Sequence, residues 1–254
     1  MIAIAAASAT PAAAQSVFDG TWKMDTASAK PSTKPSVVVL KSGVFSCESC
    51  TPAYTVKADG AFHPVSGQLG FDAAAVSIVD PHTAKMQFSK GGRVIDSETD
   101  TVSADGKTLN YVNIDSSATS GKTTKEVGIQ TRVGPAPVGA HAASGSWQTT
   151  KIVSSTGDLA VFHSDGAHLD ARFPSGVHYA PTFGGGYVPV EGTVQGVTVA
   201  VAKQGPRAFV ARYRMGGKVR STTTFTVAAD GKTATVATHD LNDGTDSSVN
   251  AYKQ

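Results

Sequence analysis

Apolar and polar residues alternate with a period of two along much of this chain. Ala84, Met86 and Phe88 fall on one side, with Lys85 and Gln87 between them, and Phe209, Ala211 and Tyr213 alternate with Val210, Arg212 and Arg214. A period of two is the mark of a strand with two different faces. The runs are short and are separated by turn signals such as Ser42-Gly43, Ala58-Asp59-Gly60, Lys90-Gly91-Gly92 and Ala104-Asp105-Gly106-Lys107. Asp-Gly tolerates the positive φ that tight hairpins require. In the first half the pattern predicts strands over 20–25, 36–41, 44–49, 54–58, 74–79, 84–90, 93–103, 108–115 and 125–133. Val far outnumbers Leu, and Thr, Ser and Gly are abundant. Val and Thr suit a pleated sheet better than a helix, so the chain reads as all-β.

The pattern also repeats at an offset of 125 residues. Gly20 and Trp22 fall on Gly145 and Trp147, and Tyr54 on Tyr179. Phe62 falls on Tyr187, and Gly91, Gly92 and Val94 fall on Gly216, Gly217 and Val219. Ala104-Asp-Gly-Lys-Thr108 recurs as Ala229-Asp-Gly-Lys-Thr233. A fixed offset predicts two copies of one folding unit. They are expected over 15–133 and 145–254, joined by a Pro-, Gly- and Ala-rich linker over 134–144. Many short antiparallel strands in each copy point to a small closed barrel, because closure removes exposed edges. The expected fold is two tandem antiparallel up-and-down barrels, with one large joint barrel as the alternative.

Residues 1–14 are rich in Ala, and Ala12-Ala13-Ala14 before Gln15 fits the small-x-small rule of a signal-peptide cleavage site. The basic start of such a leader is missing, so the signal peptide reads as possibly truncated. No apolar run is long enough to span a bilayer. The expected location is periplasmic or secreted, with no membrane insertion. Only 17% of residues are charged and the formal net charge is +2, which argues against a nucleic-acid partner. Cys47 and Cys50 are the two cysteines, and in an exported chain they predict a local disulfide. A redox pair or part of a metal site is the weaker reading, since no second Cys pair supplies the remaining ligands.

Gly20-Thr-Trp22 and Gly145-Ser-Trp147 resemble the Gly-x-Trp opening of lipocalins and related calycin barrels. The run Gly-Gly-Lys-Val, a Thr-rich strand and Asp-Gly-Lys-Thr resembles the late hairpins of fatty-acid-binding-protein-like barrels. The resemblance covers both halves. It implies lipocalin-like barrels in which the Trp closes one end under a basic residue of the last strand, Arg132 in the first half and Lys253 in the second. It also implies a small apolar or amphipathic ligand; a minority of such barrels are isomerases, hydratases or cyclases.

The densest set of ionisable groups is His163-Ser-Asp165-Gly-Ala-His168-Leu-Asp170-Ala-Arg172. After a turn at Ser164-Asp165-Gly166, His168, Asp170 and Arg172 share one strand face, opposite Ala167, Leu169, Ala171 and Phe173. A solvated charged face is the plain reading. Alignment through the turn sets Phe45, Cys47 and Ser49 against the charged row, and then the row lines the barrel. In that case His168 is a general base, Asp170 orients it and Arg172 holds an anion. His163, His178, Tyr179, Tyr187, Tyr213, Tyr54 and Phe88 are the candidate ligand-lining residues. His163, His168 and Asp170 match no specific metal spacing, so no metal and no cofactor are expected.

Val94, Asp96, Glu98, Asp100 and Val102 also share a face. Burying three acids without a cation is costly, so this face is expected in water. An interior row serving a cationic ligand or calcium is the alternative. No Gly-x-Ser-x-Gly elbow or Walker-type loop is present. The expected function is binding of a small apolar or amphipathic molecule in a barrel cavity, chiefly the second. The alternatives are a cofactor-independent lyase, isomerase or hydratase, and an envelope module with filled barrels.

Overall fold

The computed structural model describes residues 16–254; the expected leader lies outside the described residues. Among the described residues there is no helix, and therefore none long and apolar enough to cross a membrane. The described residues form twenty strands. The first ten are β1 (Gly20–Lys30), β2 (Ser36–Lys41), β3 (Val44–Cys47), β4 (Tyr54–Lys57), β5 (His63–Pro64), β6 (Ala73–Asp80), β7 (Thr83–Lys90), β8 (Arg93–Val102), β9 (Thr108–Asp115) and β10 (Thr124–Arg132). The others are β11 (Gly145–Ser155), β12 (Leu159–His163), β13 (Asp170–Arg172), β14 (His178–Tyr179), β15 (Val188–Pro189), β16 (Thr198–Lys203), β17 (Ala208–Met215), β18 (Lys218–Val227), β19 (Thr233–Asp240) and β20 (Thr245–Lys253).

The strands form two antiparallel sheets of ten, each curled into a nearly closed barrel. One sheet runs β4-β3-β2-β11-β10-β9-β8-β7-β6-β5, and its two ends meet where β4 packs on β5 and β6. We call it the first barrel. The second runs β14-β13-β12-β1-β20-β19-β18-β17-β16-β15. Its ends meet where His178 and Glu191 exchange main-chain hydrogen bonds of 3.1 and 2.9 Å.

The opening strands have changed places. β1 begins the chain yet pairs with β12 and β20 in the second barrel, while β11 pairs with β2 and β10 in the first. The break between the halves in sequence is therefore not the break between the barrels. The linker turns β11 back on β10, its neighbour in the chain. This short-range hairpin closes a smaller loop than a return of β1 from the far end of the first half. β1 then fills the remaining place beside β12 and β20, and β1 and β11 lie against each other between the barrels.

Each barrel has one apolar core. Trp22 joins Phe18, Phe162, Leu169, Val199, Val201, Phe209 and Phe225 in the second barrel. Trp147 joins Leu40, Phe45, Val56, Val76, Met86 and Leu109 in the first. Both tryptophans are almost wholly buried, at 0 and 1% exposure. Each indole N–H donates at 2.8 Å to a carbonyl four residues earlier, Phe18 or Ala143. A buried indole without such an acceptor would carry a desolvation penalty.

A basic residue covers each ring, as the Gly-x-Trp resemblance implies. The exchange decides which one. Arg132 lies 4.0 Å over Trp147, the tryptophan of the other half, and Lys253 lies 5.0 Å over Trp22. The Arg132 guanidinium also donates to the carbonyls of Gly106, Ser144 and Ala142.

Candidate functional site

The predicted row on β13 and the turn before it faces solvent. Leu169 and Ala171 are fully buried, so their alternating neighbours point out. His168 and Arg172 side chains are 56 and 64% exposed. The His168 imidazole bonds the Asp165 carboxylate at 2.8 Å, and that contact, with main-chain donors, pulls Asp165 down to about 2. Arg172 pairs with Asp170 at 2.8 Å. The three residues thus stay on one strand face, but His168 is oriented by Asp165 and not by Asp170. His163 is exposed, 3.8 Å from Asp19, and His178 sits 3.1 Å from Glu191. The three histidines do not converge.

The candidate aromatics fall into two groups. In the second barrel the Tyr179 and Tyr213 hydroxyls meet at 3.0 Å. Burial raises both phenols above their ordinary range. The pair borders a cleft of about 290 Å³ with Phe173, Val190 and Lys122. Tyr187 lies elsewhere, under the Arg214 guanidinium at 3.6 Å. In the first barrel Tyr54 and Phe88 are joined through Phe71, with ring centroids 5.6 and 4.7 Å apart.

The acid row of β8, expected in water, lies inside the first barrel. Asp100 pairs across the sheet with Ala84 and Tyr111, and Glu98 with Met86 and Asn113. Ala84, Met86 and Tyr111 are core residues, and side chains of directly opposed residues share a face. Asp96 lies opposite Phe88 and Asp115. Val94, which the sequence set on the same face, is displaced by a bulge between β7 and β8 and is exposed. Glu126 of β10 adds a fourth carboxylate, opposite Asn113 and accepting the Tyr111 hydroxyl at 2.8 Å.

Burial dominates the chemistry of these groups. It lifts Asp96 to about 6, against an Asn113 amide bond of 2.9 Å that favours the ionised form. It lifts Asp100 to about 9, with repulsion from Glu98 adding to it. Glu98 is raised as well, chiefly by burial. Tyr54 is pushed up to about 12 by burial and by Glu98, and Tyr111 is raised by burial and by Glu126. Two acids this close share a proton more readily than both ionise.

A cleft at the junction of the barrels borders this part of the wall. β11 pairs with β2 only over Gly145–Trp147 and Ser36–Val38. Beyond that, a cleft of about 510 Å³ is lined by Ser36, Ser49, Tyr111, Glu126 and Ile152, and by Thr238 and Ser247 of the second barrel. Glu126 borders a second junction cleft of about 350 Å³ with Met24, Ile152 and Val236. Gly128 makes room for this arrangement: a Cβ there would overlap the Tyr111 ring.

Among the described residues, no group of three or more His, Cys, Asp or Glu side chains is arranged to hold a metal ion. Cys47 and Cys50 form a disulfide, a bond that belongs to oxidising surroundings. No protein-family model, curated protein or solved structure matches the chain. Fold and site define an all-β protein of two barrels, one whose core is apolar with neutral polar groups and one whose core carries a row of acids.

Proposed function

We propose that the protein is an exported binder of a small amphipathic molecule, held in the interior of the first barrel. The observation that carries this reading is the cleft between β2 and β11, where buried Tyr111 and half-buried Glu126 meet the outside. Small-molecule sites are typically concave, mostly apolar and fitted with a few convergent polar groups. The interior of the first barrel offers Tyr54, Phe71 and Phe88 on one side and Asp96, Glu98 and Asn113 on another. The second barrel, favoured from sequence for its histidines, carries them on its outer surface. Its interior is packed by six mutually contacting rings, those of Phe18, Trp22, Phe162, Phe183, Phe209 and Phe225. The cation over each buried tryptophan supports a lipocalin-like reading. The disulfide supports a periplasmic or secreted location.

Native mass spectrometry of the gently purified chain, set beside its denatured mass, tests this. Extra mass lost on denaturation is the expected result. A bare chain whose melting temperature is unmoved by any member of a small-molecule library contradicts it.

A further inference from the structure

The two barrels supply their own control for the acid row. Strand pairing puts matching positions side by side. In the first barrel Asp100 lies beside Tyr111, and Tyr111 beside Gly128; in the second, Phe225 lies beside Val236, and Val236 beside Val249. One layer further out, Glu98, Asn113 and Glu126 stand where the second barrel has Thr223, Thr238 and Ser247. The fold is built with neutral residues at these places in one barrel, so it does not need carboxylates there. In the first barrel they are a cost to the apo protein, which must either bury a charge without hydration or hold the acid protonated.

Asn113 and Tyr111 donate to Asp96 and Glu126, but no cation among the described residues offsets the row. Among the described residues, no Lys, Arg or His nitrogen lies within salt-bridge distance of Asp96, Glu98, Asp100 or Glu126. Asp100 is only 6% exposed, and its Oδ1 has no hydrogen-bond donor. Nearly all buried polar groups in proteins are paired. An orphaned carboxylate oxygen directed into a carboxylate-lined interior is the feature of a site that awaits a positive group.

The shape of the row says which kind. Asp96, Glu98 and Asp100 follow one strand at every second residue, so the row is on the order of 14 Å long. A metal ion wants several oxygens converging on one point; this row is drawn out and presents no such point. Aromatic rings stand beside it. Phe88 is directly opposite Asp96, and the Glu98 charge acts on Tyr54. Carboxylates with aromatic faces close by are the chemistry that recognises ammonium groups carried on an apolar body.

We propose that the first barrel binds an amphipathic organic cation, its ammonium group at Glu98 and Asp100 and its apolar body along Tyr54, Phe71 and Phe88. This assignment rests on the proposed small-molecule function and adds the sign of the ligand's charge. Glu126 and Tyr111 stand at the cleft through which the cation enters. No bond is made or broken.

The test compares two probes of one shape and different charge, phenyltrimethylammonium and tert-butylbenzene, by equilibrium dialysis against the full chain. The charge of the first is fixed, so its own titration does not enter. The expected result is about ten-fold tighter binding of the cation. The double variant E98Q/D100N keeps size and hydrogen-bonding capacity, and should bind both probes alike. Thermal denaturation confirms that it is folded, and E126Q serves as a second variant expected to weaken only the cation. Equal binding of the two probes by the native chain overturns the charge assignment and leaves the small-molecule reading standing. So does a cation preference that survives in E98Q/D100N. If neither probe binds, the cavity reading fails and this one with it.

Discussion

Asp100 is where one side chain sets a property of the whole chain. In the folded state it keeps its proton up to about pH 9, against an ordinary value of 3.8. The groups that act on it are Glu98 on its own strand and Tyr111 on β9, while Glu126 on β10 and Tyr54 on β4 face Glu98. Between those two pH values the folded chain binds more protons than the unfolded chain. Stability therefore falls as pH rises from about 4 to 9 and levels off above. D100N should flatten that fall and raise the melting temperature at pH 8, by about 2–4 °C for each kcal/mol recovered. Melting curves at pH 5 and 8 check it; equal slopes for D100N and the native chain would contradict it. Gly128 offers the reverse case. G128A sets a methyl group against the Tyr111 ring and should cost about 1–3 kcal/mol by overpacking, read by urea denaturation.

The acid row shows what can be read from residues and what cannot. The alternation that aligns Asp96, Glu98 and Asp100 with Val102 is plain in the sequence, and Val102 is in the core. The expectation of solvent exposure came from the cost of burying acids, and it failed because this barrel bears that cost. Polar residues at core positions are where local rules break, and function is the usual reason. The His168 row turned on a single residue of register. Aligned through the turn, Phe45 falls opposite His168, yet Phe45 and Cys47 share the core side with Leu169 and Ala171 of the other barrel. One position of slip exchanges inside for outside.

At the scale of elements, hairpins with Gly-containing turns were the most legible. β2 and β9 occupy the predicted 36–41 and 108–115, and β7 differs only by starting one residue earlier. β1 runs five residues beyond its predicted end, because its far part crosses β11 between the barrels. The partner of β1 was not legible at all. Gly20-Thr-Trp22 and Gly145-Ser-Trp147 present the same face, and either one closes either sheet. Loop length decides, and it acts through chain entropy and not through any side chain. The disulfide acts locally, holding the end of β3, with Cys47 in the core. Replacing both cysteines by Ala should cost at most about 2 kcal/mol, since the closed loop is short. A larger loss in urea denaturation would mean that the bond also fixes the β3–β4 register.

Across the whole molecule, the exchange of β1 and β11 makes two barrels from two halves that cannot separate. It also makes the site. The cleft over Tyr111 and Glu126 borders β11, a strand lent to the first barrel by the second half. Further pairing reinforces the junction: Thr119 N–H bonds the Gly192 carbonyl at 2.8 Å, and Lys34 approaches Asp243 at 3.8 Å. Halves cut at the linker should each lack the tryptophan of their own core, and should become soluble only when expressed together. The most direct test is hydrogen exchange on W22A. Trp22 is near the amino terminus but packs in the core of the second barrel. The exchanged fold predicts lost protection over β12 to β20, with β2 to β10 unchanged. Lost protection confined to β2 to β10 would place Trp22 in the barrel of its own half, and would remove the strand exchange on which the site depends.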